Sequence, residues 1–253
     1  MTQASGSNPE KTLSQAIKDR RATPSFLPDP VPENDLKKIL EAGLSAPSAY
    51  NLQPWRFVVV REVEQRARLR QAAMKQLKVE EAPVVIVACA DLEGWRNGDL
   101  DEIIRLAQQH GYGDEVRYAS MRKNIASFFG SIPGAAGGLA PDFAVWANRQ
   151  TMIAFTTMMW MAEVLGYDTA PMEGFYEDQV KARLGIPARV RVVALLAIGR
   201  RKGEDERFAI AAHGICREVG IRFRSAGSLA PTGGAVSTDF EPRYQDMKTA
   251  ISF

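Results

Sequence analysis

The side chains able to do chemistry are scattered rather than clustered. Arg20 and Arg21 stand in tandem at the end of a helical pattern. Paired guanidiniums suit the forked oxygens of a phosphate, and they equally complement the negative end of a helix dipole. Asn51 and Gln53 bring amide donors and acceptors to residues 46–60, APSAYNLQPWRFVVV. Such a stretch could be a ledge for a planar polar ligand or an ordinary connector. His110 and His213 are the two histidines, and neither neighbours a nucleophile motif. No spacing of His, Cys and carboxylates matches a metal site. Hydrolysis by a Ser/His/Asp constellation and metal-assisted chemistry therefore have no carrier in the sequence pattern.

The elements that must position these groups follow from periodicity. Thr12 to Gln15 reads as a capping box opening a short helix with Leu13, Ala16 and Ile17 on one face. A proline-rich linker, 28–32, places Pro32 in the first turn of a helix spaced by Leu36, Ile39, Leu40 and Leu44. Pro47 and Ser48 stop that helix, and Arg56 to Val60 is a β-branched and aromatic strand. Residues 62–77 read as one charged helix with Leu69, Ala72, Ala73, Met74 and Leu77 inward. Residues 82–90 form a near-continuous apolar run, a strand buried on both faces.

Residues 91–113 are polar and carry four glycines, with Trp95, His110 and Tyr112 packing locally or stacking on a substrate. A helix over 117–129 precedes a glycine-rich connector or gate, 130–138, which is neither a Walker A sequence nor a GxGxxG fingerprint. The longest helical run, 144–165, is apolar nearly all round from Met152, which predicts a central, buried helix ended by Gly166. A short helix, 176–184, and a buried strand, 190–198, follow, and 225–238 has a disorder-like composition.

Composition sets the outer bounds. A chain of 253 residues with 45% hydrophobic and 25% charged residues is that of an ordinary globular protein. Its net charge of +2 argues for neither nucleic acid nor a membrane surface as partner. The longest apolar segment, 152–161, falls short of the ~20 residues of a spanning helix. Cys89 and Cys216 make no disulfide framework, and the N-terminal residues lack the apolar core of a secretory signal. A cytoplasmic protein is expected.

The order Pro47-Ser48, Asn51 and Gln53-Pro54-Trp55-Arg56-Phe57 resembles the signature of the nitroreductase family of FMN-dependent oxidoreductases. In that family the stretch lies at a homodimer interface, so the resemblance implies that Pro47, Ser48, Ala49 and Asn51 touch the flavin held by the partner chain. Pro171, Glu173, Gly174 and Phe175 resemble the family segment that crosses the flavin ring. The backbone amides of Glu173 and Gly174 would there face flavin N5, with Pro171 and Met172 beside the ring; a glycine suits so close an approach.

Arg20 and Phe26 match the family's phosphate-binding pattern, with Arg21 at its variable position. Ala22 stands where Ser is usual, and Pro24 where Arg or Lys is usual. Gln76 matches a glutamine that contacts FMN in many members, and Lys75 or Lys78 beside it could replace the cation missing at Pro24. Arg207, before Phe208, matches a further basic residue, or belongs to a solvated charge run.

The resemblance covers residues 12–208. It implies an α+β fold, a mixed central sheet flanked by helices with a long buried central helix. The expected organisation is a flexible terminus over 1–10, an FMN-binding domain over 11–208 and a divergent extension over 209–253. The implied function is ping-pong reduction of nitroaromatic or quinone-like acceptors through tightly bound FMN, with NAD(P)H as transient donor, in a homodimer. Reductive dehalogenation or other flavin chemistry on the same scaffold, and a non-catalytic flavin-binding module, are the alternatives.

Overall fold

A computed structural model of the chain describes residues 10–130 and 143–203. The glycine-rich connector beyond Gly130, Arg207, the extension over 209–253 and the first nine residues lie outside the described residues. All elements below belong to one compact unit, Met1–Lys202.

Four strands form the sheet: β1 (Trp55–Val60), β2 (Val84–Asp91), β3 (Asp168–Met172) and β4 (Val190–Gly199), in the order β1-β2-β4-β3. All three pairings are antiparallel, and the one parallel contact among the described residues is a bridge between Ala22 and Thr169. Every residue of β2 is buried, because its alternate side chains enter two different cores. Val85, Val87 and Cys89 pack with Leu69, Ala72 and Val180. Val84, Ile86 and Ala88 pack with Ile39, Phe155 and Met158 on the other face. The first core is covered by α3 (Val63–Ala72) and α8 (Glu177–Leu184), the second by α2 (Glu33–Leu44) and α7 (Phe143–Val164).

Helix α1 (Leu13–Asp19) has the expected capping box between Thr12 and Gln15. Pro32 immediately precedes α2 rather than lying in its first turn. The charged run over 62–77 is not one helix. It breaks after Ala72, where Met74 and Lys75 take left-handed φ of 52° and 57°, and restarts as α4 (Leu77–Glu81) with Gln76 as its cap. Arg70 fixes the corner: its Nε donates to the Lys75 carbonyl, 3.2 Å, and its Nη1 to Glu80, 2.7 Å. Met74 and Leu77 consequently end up 54% and 56% exposed instead of facing the core.

Helix α7 is long and central as expected, yet only one face is buried, by Trp146, Ala147, Ala154, Phe155, Met158 and Ala162. Ile153 on the other face is 41% exposed. Gly166, at φ 82°, ends it. The polar glycine-containing stretch folds further than expected, into a single wide turn at Trp95–Asp99 and then α5 (Leu100–Gln109). Helix α6 (Glu115–Gly130) packs on it through Ile104, Tyr118 and Ile125, which share a core with Leu52 and Trp146. Among the described residues no helix is long and apolar enough to cross a membrane.

Candidate functional site

The candidate residues gather at two places, one at each edge of the sheet. At the β3 edge, Arg20 ends α1, and the bridge from Ala22 to Thr169 lays residues 20–23 alongside β3. The Thr23 amide donates to the Thr169 carbonyl at 3.0 Å. Arg21 folds back, its Nη1 donating to the carbonyls of Lys18 and Arg20, both at 2.7 Å. Arg20 lies over the Trp160 ring, 5.9 Å from its centroid, and its Nη1 is buried with no hydrogen-bond partner among the described residues. A guanidinium nitrogen held dry and unpaired is costly unless an anion completes it.

Downstream of β3, Glu173 and Gly174 cross the corner between α3 and α4. Gln76 Nε2 donates to the Gly174 carbonyl at 2.9 Å, and the Tyr176 amide donates to the Ala72 carbonyl at 2.8 Å. A Cβ added at Gly174 would meet Met74 Sδ at 3.4 Å and Gln76 Nε2 at 3.5 Å, ordinary contact distances, and Gly174 is not among the positive-φ glycines. Neither the backbone nor internal packing demands glycine here. A flat ligand against the peptide does supply a reason. Lys78 on α4 is half-buried with no ion pair among the described residues, and burial lowers the pKa of its ammonium. The Arg20 nitrogen and Lys78, both unpartnered among the described residues, suit an anionic group such as a phosphate, and the bare Gly174 peptide suits a planar one.

Ordinary sequence patterns did not point to the other polar group at this edge. Glu163, on α7, is buried and accepts from Thr169 Oγ1 at 3.0 Å. Burial pushes its carboxyl up to about 7; the Thr169 hydroxyl, Lys11 and Arg20 pull it down and Asp168 pushes it further up. A lone carboxylate within the apolar run of α7 was the available signal.

At the opposite edge, residues 47–53 lead into β1. Ser48 Oγ accepts from the Gln53 amide at 3.0 Å, and the Ala49 amide donates to Gln150 Oε1 on α7, also at 3.0 Å. Tyr50, Asn51 and Gln53 have φ of 55°, 54° and 43°. With Met74 and Lys75 they are all the left-handed non-glycine residues among those described. Left-handed backbone costs on the order of 1–2 kcal/mol per non-glycine residue, and such strain clusters at functional sites. Its confinement to the two candidate segments sets them apart from the other loops.

Two cavities border this second segment. One of about 510 Å³ is lined by Gln53, Trp55 and Arg56 together with α2 and α5. The other, about 550 Å³, lies between Tyr50, Asn51 and helices α5 and α6. Neither is lined by Arg20, Gln76, Glu173 or Gly174.

The two groups do not meet within one chain. β1 begins opposite Ala90, which pairs with Arg191, and β3 runs toward that same end of β4. Both segments thus leave the sheet at one end, but from edges three interstrand spacings apart, roughly 14 Å. Pro47, Ser48, Ala49 and Asn51 lie at the β1 edge; Arg20, Arg21, Ala22, Gln76, Pro171, Met172, Glu173 and Gly174 lie toward the β3 edge. Cys89, the one cysteine among the described residues, is buried, and burial, with Glu177 adding, pushes its thiol up to about 12, away from the reactive thiolate. No His, Cys, Asp and Glu cluster among the described residues could hold a metal.

Residues 17–200 match the model of the nitroreductase family. A protein of Thermus thermophilus named NADH dehydrogenase is 40% identical over 180 residues, which span 71% of this chain and 82% of that protein. MhqN of Bacillus subtilis, named as a candidate NAD(P)H nitroreductase, is 29% identical over 76% of this chain and 89% of its own. Among solved structures, a candidate nitroreductase of Exiguobacterium sibiricum in complex with FMN superposes with a TM-score of 0.69 at 25% identity, covering 78% of this chain and 92% of that one. The fold agrees in kind, helices packed on an antiparallel sheet. The chain belongs to the nitroreductase family and is an oxidoreductase.

Proposed function

We propose that the chain is an FMN-dependent NAD(P)H oxidoreductase that reduces nitroaromatic or quinone-like acceptors, with the flavin at the interface of a homodimer. The single observation that carries this reading is the division of the motif between opposite sheet edges. With the two segments on opposite edges of one chain's sheet, Pro47, Ser48, Ala49 and Asn51 of one protomer would complete the half carried by the other. The exposed apolar residues Leu13 and Ile17 on α1, and Val145 and Ile153 on α7, supply surface for such an interface.

Each half then has its tasks. Arg20, whose Nη1 has no partner among the described residues, binds the phosphate, and the backbone of Arg21 and Ala22 borders it. Pro171 and Met172 line the ring, and the amides of Glu173 and Gly174 give fixed donors at N5, which need no reorganisation during reaction. Lys78 is the cation for the negative charge of the reduced cofactor, where its low hydration makes the interaction strong. FMN held by these residues would supply the redox chemistry, the transfer of two electrons from NAD(P)H to the acceptor. The partner's edge excludes water and leaves room for one donor or one acceptor at a time.

The test is purification followed by FMN reconstitution, with flavin absorbance, mass in solution and NADH or NADPH oxidation with a quinone as readouts. A yellow dimer that oxidises either donor supports the reading. A colourless monomer overturns it, and a bound flavin that neither donor reduces points instead to a non-catalytic flavin module, for which Ala22 and Pro24 already depart from the usual pattern.

A further inference from the structure

The cavity beside Asn51 has a chemical character of its own. Its volume, about 550 Å³, is that of a small-molecule pocket. Its walls combine aliphatic Ile103, Ile104 and Met121 with aromatic Tyr50 and Tyr118. Tyr118 is buried and its hydroxyl donates to the Tyr112 carbonyl, so the rim at Tyr112 is anchored to the cavity wall. Slabs of this kind accept planar rings.

Among the described residues one charge lines the cavity, Arg117, and no carboxylate does. The other arginines of the α5–α6 region are engaged: Arg105 with Glu102 at 2.5 Å, Arg122 with Asp101 at 2.8 Å, and Arg96 over the Trp95 ring at 4.8 Å. Arg117 alone among them has no ion pair or ring contact among the described residues. Nearby Asp114 is used differently, its Oδ1 accepting from the Arg117 backbone amide at 2.8 Å. An unpaired guanidinium at the mouth of an apolar, aromatic pocket is complementary to a carboxylate on a flat ring.

We propose that this cavity seats the electron acceptor and that Arg117 makes it selective for planar aromatic acceptors bearing a carboxylate. The inference rests on the oxidoreductase reading above, which puts Asn51 against the flavin and so opens this cavity beside it. Arg117 is a specificity residue: it binds the substituent and takes no part in electron transfer. With a nitrobenzoate the turnover is balanced as NADH, a proton and the nitro compound giving NAD+, the nitroso compound and water.

The experiment compares 4-nitrobenzoate with the neutral 4-nitrobenzamide, using FMN-loaded wild type and Arg117→Gln. In the wild type kcat/KM should favour the carboxylate about tenfold, mainly through KM. In Arg117→Gln the ratio should fall to about 1, with the benzamide unchanged. Calorimetric binding of 4-hydroxybenzoate, which is not reducible here, should be lost in parallel. The side chain of Arg117 is exposed, so the variant should unfold at the wild-type temperature. An unchanged ratio, or undiminished 4-hydroxybenzoate binding, overturns the inference alone. An enzyme that reduces quinones but neither nitro compound also overturns it while leaving the oxidoreductase reading intact. Absence of flavin binding or of any donor oxidation overturns both.

Discussion

Gln76 and Gly174, 98 positions apart in sequence, are joined by a 2.9 Å hydrogen bond from the Gln76 amide to the Gly174 carbonyl. That bond fixes which way the Gly174 peptide faces, because the carbonyl is directed into the protein at the corner of α4. Replacing Gln76 by Ala should cost about 1 kcal/mol of stability, the usual net worth of such a bond. It should also weaken FMN about tenfold by freeing the peptide to turn. Thermal unfolding of the apoprotein and quenching of flavin fluorescence measure the two effects separately. Lost stability with unaltered flavin affinity would reduce the bond to a structural role.

Glu163 gives stability a definite pH dependence. Its folded pKa is raised to about 7 from 4.5, so between those values the folded chain holds more protons than the unfolded one. Stability from this group is full below pH 4.5 and is lost as pH rises through 7. Glu163→Gln keeps an acceptor for Thr169 and carries no charge to bury. It should match the wild type at pH 4.5 and unfold several degrees higher at pH 8, as followed by circular dichroism. Equal midpoints at pH 8 would contradict the assignment.

Arg56 joins three elements. It pairs with Asp99 at 2.5 Å and lies 3.7 Å from buried Asp91, which also has Arg189 at 3.4 Å. Its Nη1 donates to the carbonyls of Gln53 and Trp55. Arg56→Met leaves Asp91 with one cation and frees the Gln53 carbonyl. A loss of about 2 kcal/mol is expected in urea unfolding. Asp99→Asn, which removes the more exposed partner, should cost less than 1 kcal/mol.

Lys75 tests whether the left-handed corner stores strain. Glycine adopts φ 57° without a Cβ clash, so Lys75→Gly should gain roughly 0.5 kcal/mol after its larger unfolded-state entropy is subtracted. Flavin affinity should hold, because Lys78 is the half-buried cation of this pair and Lys75 is exposed. A large loss of FMN binding in Lys75→Gly, with none in Lys78→Ala, would reverse their roles.

The elements were legible where local pattern and tertiary context agree. β2 is a continuous apolar run and takes the central position that such a run requires. The capping box at Thr12 and the stop at Gly166 are written in the adjacent residues. The break in 62–77 was not legible, because Met74 and Lys75 are not turn-forming types. It is fixed within the run by Arg70 on Lys75, and from outside by the Gly174 carbonyl that Gln76 reaches and the Tyr176 amide on Ala72. Helix α5 was masked by the glycines around it, although Leu100, Ile103, Ile104 and Ala107 have helical spacing. For the candidate site, residue order pointed to both segments, whereas their separation depends on strand order, a long-range property that no local stretch encodes. Arg117 is invisible for the same reason, since only the fold places it opposite Asn51.

The separation of residues 47–51 from residues 171–174 has a consequence for mixed populations of chains. On the shared-site reading, a chain lacking Asn51 and a chain lacking Gln76 are each defective in both sites of their own dimers. Paired together, they place both lesions in one site and leave the second free of either. Co-expression of the two should therefore recover about a quarter of the wild-type sites from statistical assortment of a two-fold dimer. Two lesions carried on the same edge would never complement each other.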